Sequence, residues 1–408
     1  MMKSTVGIDA ISFYTPPCYL DLKDLAKARS IDVDKFYVGL GQEKMAVMPP
    51  DQDIVTMGAE AGAKVLKKID ASDIDLLLFA TESGIDQSKS AGTYVHRLLN
   101  LPSQCRVVEL KQACYGATIG LQMALSMLRD YKAKKVLLIA SDVARYGLNT
   151  TGESSQGGAA VAMVLSASPR ILAVERQSGF YTEDVMDFWR PNYREEAFVE
   201  GKFSCEQYLK VLQKSWEHYH RVSERSFSDH AAFCYHVPVP RLVEKAHQSL
   251  LKFNGLPKLS NEELRVVLGP SLQYGKAIGN CYTAALYLSF VSLLENTAQD
   301  LSQQRIGFYS YGSGCVGEFF SGVVQVNYQA MLDKRYHQTL VENRQALSVD
   351  TYEDYYRFRY PVDGSSVVLP QTLIEASKRG NPRYRLASLK DHKRIYETAE
   401  ALVYEAAI

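Results

Sequence analysis

Residues 114–128, CYGATIGLQMALSML, and residues 281–294, CYTAALYLSFVSLL, both open on Cys-Tyr-x-Ala and continue as a run that is apolar on almost every helical face. A helix hydrophobic all round belongs in the middle of a protein. The neighbours of the two runs also come in the same order. Each is followed by an apolar strand pattern, KKVLLIAS at 134–141 and RIGFYSYGSG at 305–314. Each is preceded, at a distance, by a strand pattern that ends in an ionisable residue: IDLLLFATES at 74–83 ends at Glu82, and AAFCYHVP at 231–238 ends at His236. This is an internal duplication. Residues 1–170 read as one half and 171–408 as the other.

Between these landmarks, strand-like and helical periodicities alternate, with near-continuous apolar strands such as AAVAMVLSA at 159–167. That pattern predicts an α/β protein whose sheets are covered on both faces. With the two apolar helices back to back between two sheets, the layers run αβαβα. The same layering brings Glu82, Cys114, His236 and Asn280 together. The segment from 171 to 225 breaks the repeat and holds both tryptophans, Trp189 and Trp216, so it reads as an insertion capping the site. The tail after about residue 330 reads as exposed helices closing with RYRLASLKDHKRIYE.

Bulk composition narrows the function classes. Over 408 residues the chain is 46% hydrophobic and 23% charged, and its 46 basic and 46 acidic side chains cancel. No global field recruits nucleic acid or an anionic membrane. No apolar run approaches the roughly 20 residues that span a bilayer, and the N-terminus lacks a signal-peptide core. A cytoplasmic protein is expected. The seven cysteines are scattered without CxxC spacing, which predicts reduced thiols and no metal site.

Cys114 stands at a predicted helix start, where unpaired N–H groups and the macrodipole would favour a thiolate nucleophile. A free cysteine is otherwise commonly a small buried hydrophobe. Glu82 is either a solvated strand cap or, if it faces the inter-sheet pocket, a carboxyl whose desolvation suits it to move protons near neutrality. His236 is open to the same two readings, structural or catalytic. SYGSGCVGEFFSG at 310–322 and TGESSQGGAAVAM at 151–163 supply small residues of the kind that let backbone N–H groups approach an oxyanion. Neither has the spacing of a nucleotide-binding loop, and no cofactor is expected.

FATESGID, ELKQACYGAT, ASDVARYG, EDVMDFWRP, HVPVP, GNCYTAALYLSFVSLLEN and SYGSGCVGEFFSG together resemble the 3-hydroxy-3-methylglutaryl synthases of the thiolase superfamily, over nearly the whole chain. The resemblance implies a thiolase-like fold and a homodimer. It implies that Cys114 takes an acetyl group from a donor thioester and that Glu82 removes a proton from the acetyl methyl. The enolate then attacks the β-keto carbon of an acceptor thioester that His236 orients and protonates, and water releases the product. Tyr146, Asn280 and Ser313 match supporting positions, and N–H groups of Cys114 and of the Ser313 turn would form the oxyanion hole.

Two branches share this chemistry. In polyketide β-branching the acceptor rides on an acyl carrier protein; in the mevalonate pathway it is acetoacetyl-CoA. ATESGIDQSKSAGTYVH looks more like the carrier-protein branch, and Glu244 between Arg241 and Lys245 disfavours a CoA phosphate there. The carrier-protein reading is preferred on these grounds, with Arg241, Lys245 and Lys276 as candidate docking or substrate contacts. A simple ketoacyl synthase would need Cys114, His236 and Asn280 but not Glu82.

Overall fold

A computed structural model of the chain describes residues 5–130, 134–369, 374 and 381–398. In the first half the strands are β1 (Gly7–Tyr14), β2 (Ile74–Ala80), β3 (Arg106–Leu110), β4 (Lys135–Ala144) and β5 (Gly157–Ser166). In the second they are β6 (Leu172–Thr182), β7 (Ala232–Tyr235), β8 (Arg305–Gly312) and β9 (Val316–Val324). Together they form one nine-stranded sheet, in the order β7-β8-β9-β6-β1-β5-β4-β2-β3.

The duplication is visible in the pairing senses. From its first strand, each half runs antiparallel, antiparallel, then parallel: β1-β5-β4-β2 in the first and β6-β9-β8-β7 in the second. Strand β3, parallel to β2, has no counterpart among the described residues. The halves meet where Gly7 and Ile8 pair antiparallel with Ala173 and Leu172. Only glycine fits at position 7, because a Cβ there would lie 1.9 Å from the Leu172 carbonyl oxygen. Asp9 reinforces the joint by accepting a two-pronged pair of bonds from Arg170, at 2.6 and 2.9 Å.

Helices α1 (Ile54–Leu66), α2 (Gly116–Asp130), α3 (Gly201–Ser223), α4 (Pro240–Phe253), α5 (Asn261–Ile278) and α6 (Ala285–Asn296) complete the layers. Helix α1, opened by a capping box between Asp53 and Thr56, covers β1, β4 and β5. The two Cys-Tyr runs become α2 and α6 with the turns before them, and they meet in the interior. Thr118 of α2 hydrogen-bonds Tyr287 of α6 at 2.9 Å and donates to Ser310 of β8 at 2.8 Å. No described helix is long and apolar enough to cross a membrane.

Three sequence expectations need correction. The strands of the two halves do not form separate sheets, because β1 and β6 pair and join them into one. Residues 171–225 are not an insertion as a whole. Residues 172–182 are β6, inside the sheet, and α3 packs on β6 and β9 as α1 packs on the first half. Trp216 is buried against Phe319 within that packing. Only residues 183–200 lie outside the repeat.

The tail also differs. After α7 (Lys334–Glu342) and α8 (Val349–Arg357) it closes as an antiparallel hairpin, β10 (Tyr384–Lys390) and β11 (Lys393–Thr398). Asp391 and His392 turn it with φ of 50° and 61°. The tail returns to the first half: Leu386 N–H donates to the Asp51 carbonyl at 2.7 Å, and the Tyr396 hydroxyl to Asp53 at 2.6 Å. Helix α7 is pinned by a fully buried chain in which His337 bonds Ser12 at 2.8 Å and Glu295 at 2.7 Å. Replacing His337 with Leu leaves Glu295 Oε1 without a partner in the core, only Oε2 keeping its bond from the Tyr274 hydroxyl. The loss should be about 2–4 kcal/mol, read as a lower midpoint of thermal unfolding; an unchanged midpoint would remove this network from the account.

Candidate active site

The chain leaves β3 at Leu110 and bends sharply, with Ala113 at φ 42°, to set Cys114 just ahead of α2. The end of β8 presses against this bend. A Cβ on Gly312 would come within 2.7 Å of the Tyr115 nitrogen, so glycine there is a condition of the approach. The Cys114 thiol is buried against Ala144, Phe188 and Tyr282, with Tyr146 and Ala197 packed around them. It donates to Glu82 Oε1 at 2.9 Å.

Glu82 reaches Cys114 because Asp142, at the end of β4, holds the loop after β2. The fully buried Asp142 carboxylate accepts from Thr81 Oγ1 at 2.7 Å and from the N–H groups of Glu82 and Ser83, both at 2.9 Å. Its second oxygen accepts from the Thr283 N–H at 3.1 Å and from the Thr283 hydroxyl. Thr283 belongs to the second Cys-Tyr turn. One carboxylate thus joins the second Cys-Tyr turn to the Glu82 loop.

Burial, then the nearby Asp142 charge, pushes the Glu82 carboxyl up to about 8, against the opposing effects of the Cys114 hydrogen bond and Arg190. Burial, followed by the Glu82 charge, also holds the Cys114 thiol well above its usual range. This corrects the expectation of a thiolate at a helix start. Helix α2 begins at Gly116, and desolvation beside carboxyl groups outweighs the helix end. Cys114 rests as a thiol with its proton directed at Glu82.

His236 follows β7 directly. Its N–H donates to the Tyr309 carbonyl and its carbonyl accepts from the Tyr208 hydroxyl, both at 2.8 Å. The ring is buried, its Nδ1 has no partner among the described residues, and burial lowers its pKa to about 3. It is a neutral imidazole.

Asn280 accepts from the Tyr282 N–H at 2.9 Å and donates to the Tyr146 hydroxyl at 3.5 Å. Tyr146 packs edge-on to Phe188 and Tyr282, so both residues join the Cys114 cluster. Ser313 faces the same bend, its carbonyl accepting from Gln112 at 3.3 Å. In its turn, the Gly314 N–H is taken by Asp187 and the Cys315 N–H by the Glu183 carbonyl, which removes both as oxyanion donors.

Arg241, Lys245 and Lys276 stand on the helices that flank His236 and Asn280. Arg241 is ion-paired with Glu244; Lys245 is exposed and forms no ion pair among the described residues; Lys276 is half-buried in the last turn of α5. Sequence reasoning did not single out Asp142 or Asp187. An aspartate closing the apolar strand KKVLLIASD was the available signal for the first.

Because the Glu82 charge opposes the thiolate, Glu82→Gln should make Cys114 more acidic. Alkylation of Cys114 by iodoacetamide at pH 9, where Glu82 is ionised, followed by mass spectrometry, should quicken about three- to tenfold. Slower alkylation would contradict the pairing.

The family described as hydroxymethylglutaryl-coenzyme A synthase, N terminal, matches residues 2–169, and its C-terminal counterpart matches 172–268 and 252–398. Hydroxymethylglutaryl-CoA synthase of Enterococcus faecalis is 39% identical over 96% of this chain and 99% of its own length. The polyketide biosynthesis 3-hydroxy-3-methylglutaryl-ACP synthase PksG of Bacillus subtilis is 33% identical over 86% of this chain and 87% of its own. A solved HMG-CoA synthase complexed with CoA superimposes with a TM-score of 0.90 at 35% identity, covering 97% of this chain and all of that one. The layered, duplicated architecture is the thiolase-like fold of these synthases. Matched in both halves and by a relative along almost its entire length, the chain belongs to the hydroxymethylglutaryl-coenzyme A synthase family.

Proposed function

We propose that this synthase condenses acetyl-CoA with acetoacetyl-CoA, with Cys114 as nucleophile, Glu82 as general acid and base, and His236 orienting the acceptor. The observation that carries the reading is the 2.9 Å bond from the Cys114 thiol to Glu82. As the sulfur attacks the acetyl carbonyl, its proton passes to Glu82, which returns it to the departing donor thiolate. A carboxyl brought up to about 8 exchanges protons readily at neutral pH.

Once the sulfur is acetylated it has no proton to donate, and the Glu82 carboxylate is left beside the acetyl methyl. It takes a methyl proton; the enolate carbon bonds to the β-keto carbon of the acceptor; the new alkoxide is protonated. The sequence reading assigned that proton to His236. A neutral, buried imidazole supports hydrogen bonding to the keto oxygen, and the proton just gained by Glu82 is the better supply. Water then hydrolyses the Cys114 thioester, leaving a carboxylate.

Sequence motifs alone favoured the carrier-protein acceptor; the higher identity to a CoA synthase, 39%, than to a carrier-protein synthase, 33%, supports the CoA acceptor instead. One observation still favours an acceptor on an acyl carrier protein: the Arg241 charge is spent on Glu244. A homodimer is supported by the edge strand β3, where Val108 is 44% exposed.

Intact-mass measurement of turnover, with acetyl and acetoacetyl groups on CoA or on carrier proteins at equal concentration, should show efficient condensation with both on CoA. A strong preference for carrier-bound acceptor would establish the other reading. In the same assay His236→Ala should acetylate Cys114 at close to the normal rate while condensation falls about 10²–10³-fold.

A further inference from the structure

The main chain of Glu82 is held on both sides. Asp142 takes its N–H, and the guanidinium of Arg190 donates to its carbonyl. Arg190 comes from residues 183–200, the segment outside the repeat, and this segment is itself tightly anchored. Asp187 accepts from the Tyr311 hydroxyl at 2.6 Å, the Gly314 N–H at 2.9 Å and Ser204 at 3.2 Å. Phe188 then enters the wall of the Cys114 pocket, and Phe188–Trp189 pairs with Phe198–Val199 as a short hairpin.

The charged and titratable groups around Glu82 are Asp142 from β4, the Cys114 thiol, Arg190, and the hydroxyls of Tyr146 and Tyr282. Arg190 is the one cation among them, and it forms no ion pair among the described residues. Bonded to the Glu82 main chain, its guanidinium lies close enough for its charge to act on the Glu82 carboxyl.

We propose that Arg190 is a positioning residue for the reaction: through the Glu82 carbonyl it fixes the loop that carries the base, and as a nearby cation it partly opposes Asp142, so that more of Glu82 is carboxylate when the acetyl methyl must lose its proton. This rests on Glu82 being that base. A positive charge nearby favours the carboxylate, so removing it makes Glu82 hold its proton to higher pH.

The test compares Arg190→Met and Arg190→Lys with the unaltered enzyme, following condensation across pH and Cys114 acetylation by intact mass. Arg190→Met should move the acid limb of the condensation profile up by about half a pH unit or more and lower kcat at pH 7 about tenfold. KM for the acetyl donor should stay within about twofold, because ground-state binding is untouched. Arg190→Lys should recover most of the acid limb. A uniform loss at every pH with the limb unmoved, or no change at all, would overturn the proposal. Should Arg190→Met fail to fold, Arg190→Gln removes the same charge and carries the same comparison. A Glu82→Gln control separates the two layers: condensation surviving in that variant overturns the assignment of Glu82 itself, whatever Arg190 does.

Discussion

One buried carboxylate organises the site. Asp142 accepts from Thr81, Glu82, Ser83 and both donors of Thr283, and so ties the end of β2 to the second Cys-Tyr turn across the boundary between the duplicated halves. A buried acceptor is costly unless it is satisfied, and five donors from two segments satisfy this one. The geometry around Cys114 follows: the loop cannot drift without orphaning Asp142, and Glu82 is kept within hydrogen-bond reach of the thiol.

The duplicated fold converts this geometry into complementary chemistry. In the first half, the second residue after the parallel strand is a carboxyl, crowded by burial and by Asp142 until it binds its proton more tightly. Directly after the corresponding strand of the second half stands an imidazole that burial keeps neutral. The same backbone plan thus places two buried titratable groups of opposite character just after corresponding strands, the pair to which the proposed mechanism gives proton transfer and acceptor orientation. Close approach is bought by missing side chains: Gly312 against Tyr115, and Gly157 with its Cβ position 2.4 Å from the Ile278 carbonyl.

Much of this was legible in the chain. A run such as ALYLSFVSLL can only be interior, and its repetition after Cys-Tyr located the centre of the molecule. Glu82 and His236 stood out because each closes an apolar strand, and Cys114 because it opens the repeated apolar run. The misreadings have physical causes as well. Strand β6, LAVERQSGFYT, carries charged residues on a half-exposed face, and α3 is amphipathic; both look peripheral although both pack into the second half. The closing hairpin was missed although Tyr384, Leu386 and Tyr396 alternate with polar neighbours as a half-buried ribbon should. The thiol acidity was misjudged because a helix start is a local feature, whereas desolvation and a facing carboxyl arise only in the folded chain.

The central claim is that Glu82 stands beside an acetyl group on Cys114 and moves its methyl protons. The most direct measurement is hydrogen exchange into the acetyl-enzyme without acceptor: Cys114 is acetylated in deuterated water, and the mass of the acetyl group is followed with time. The account predicts steady deuterium uptake into the methyl group in the unaltered enzyme, and an acetyl group of unchanged mass in Glu82→Gln. Equal uptake in both would show that another group is the base and would contradict the account at its centre.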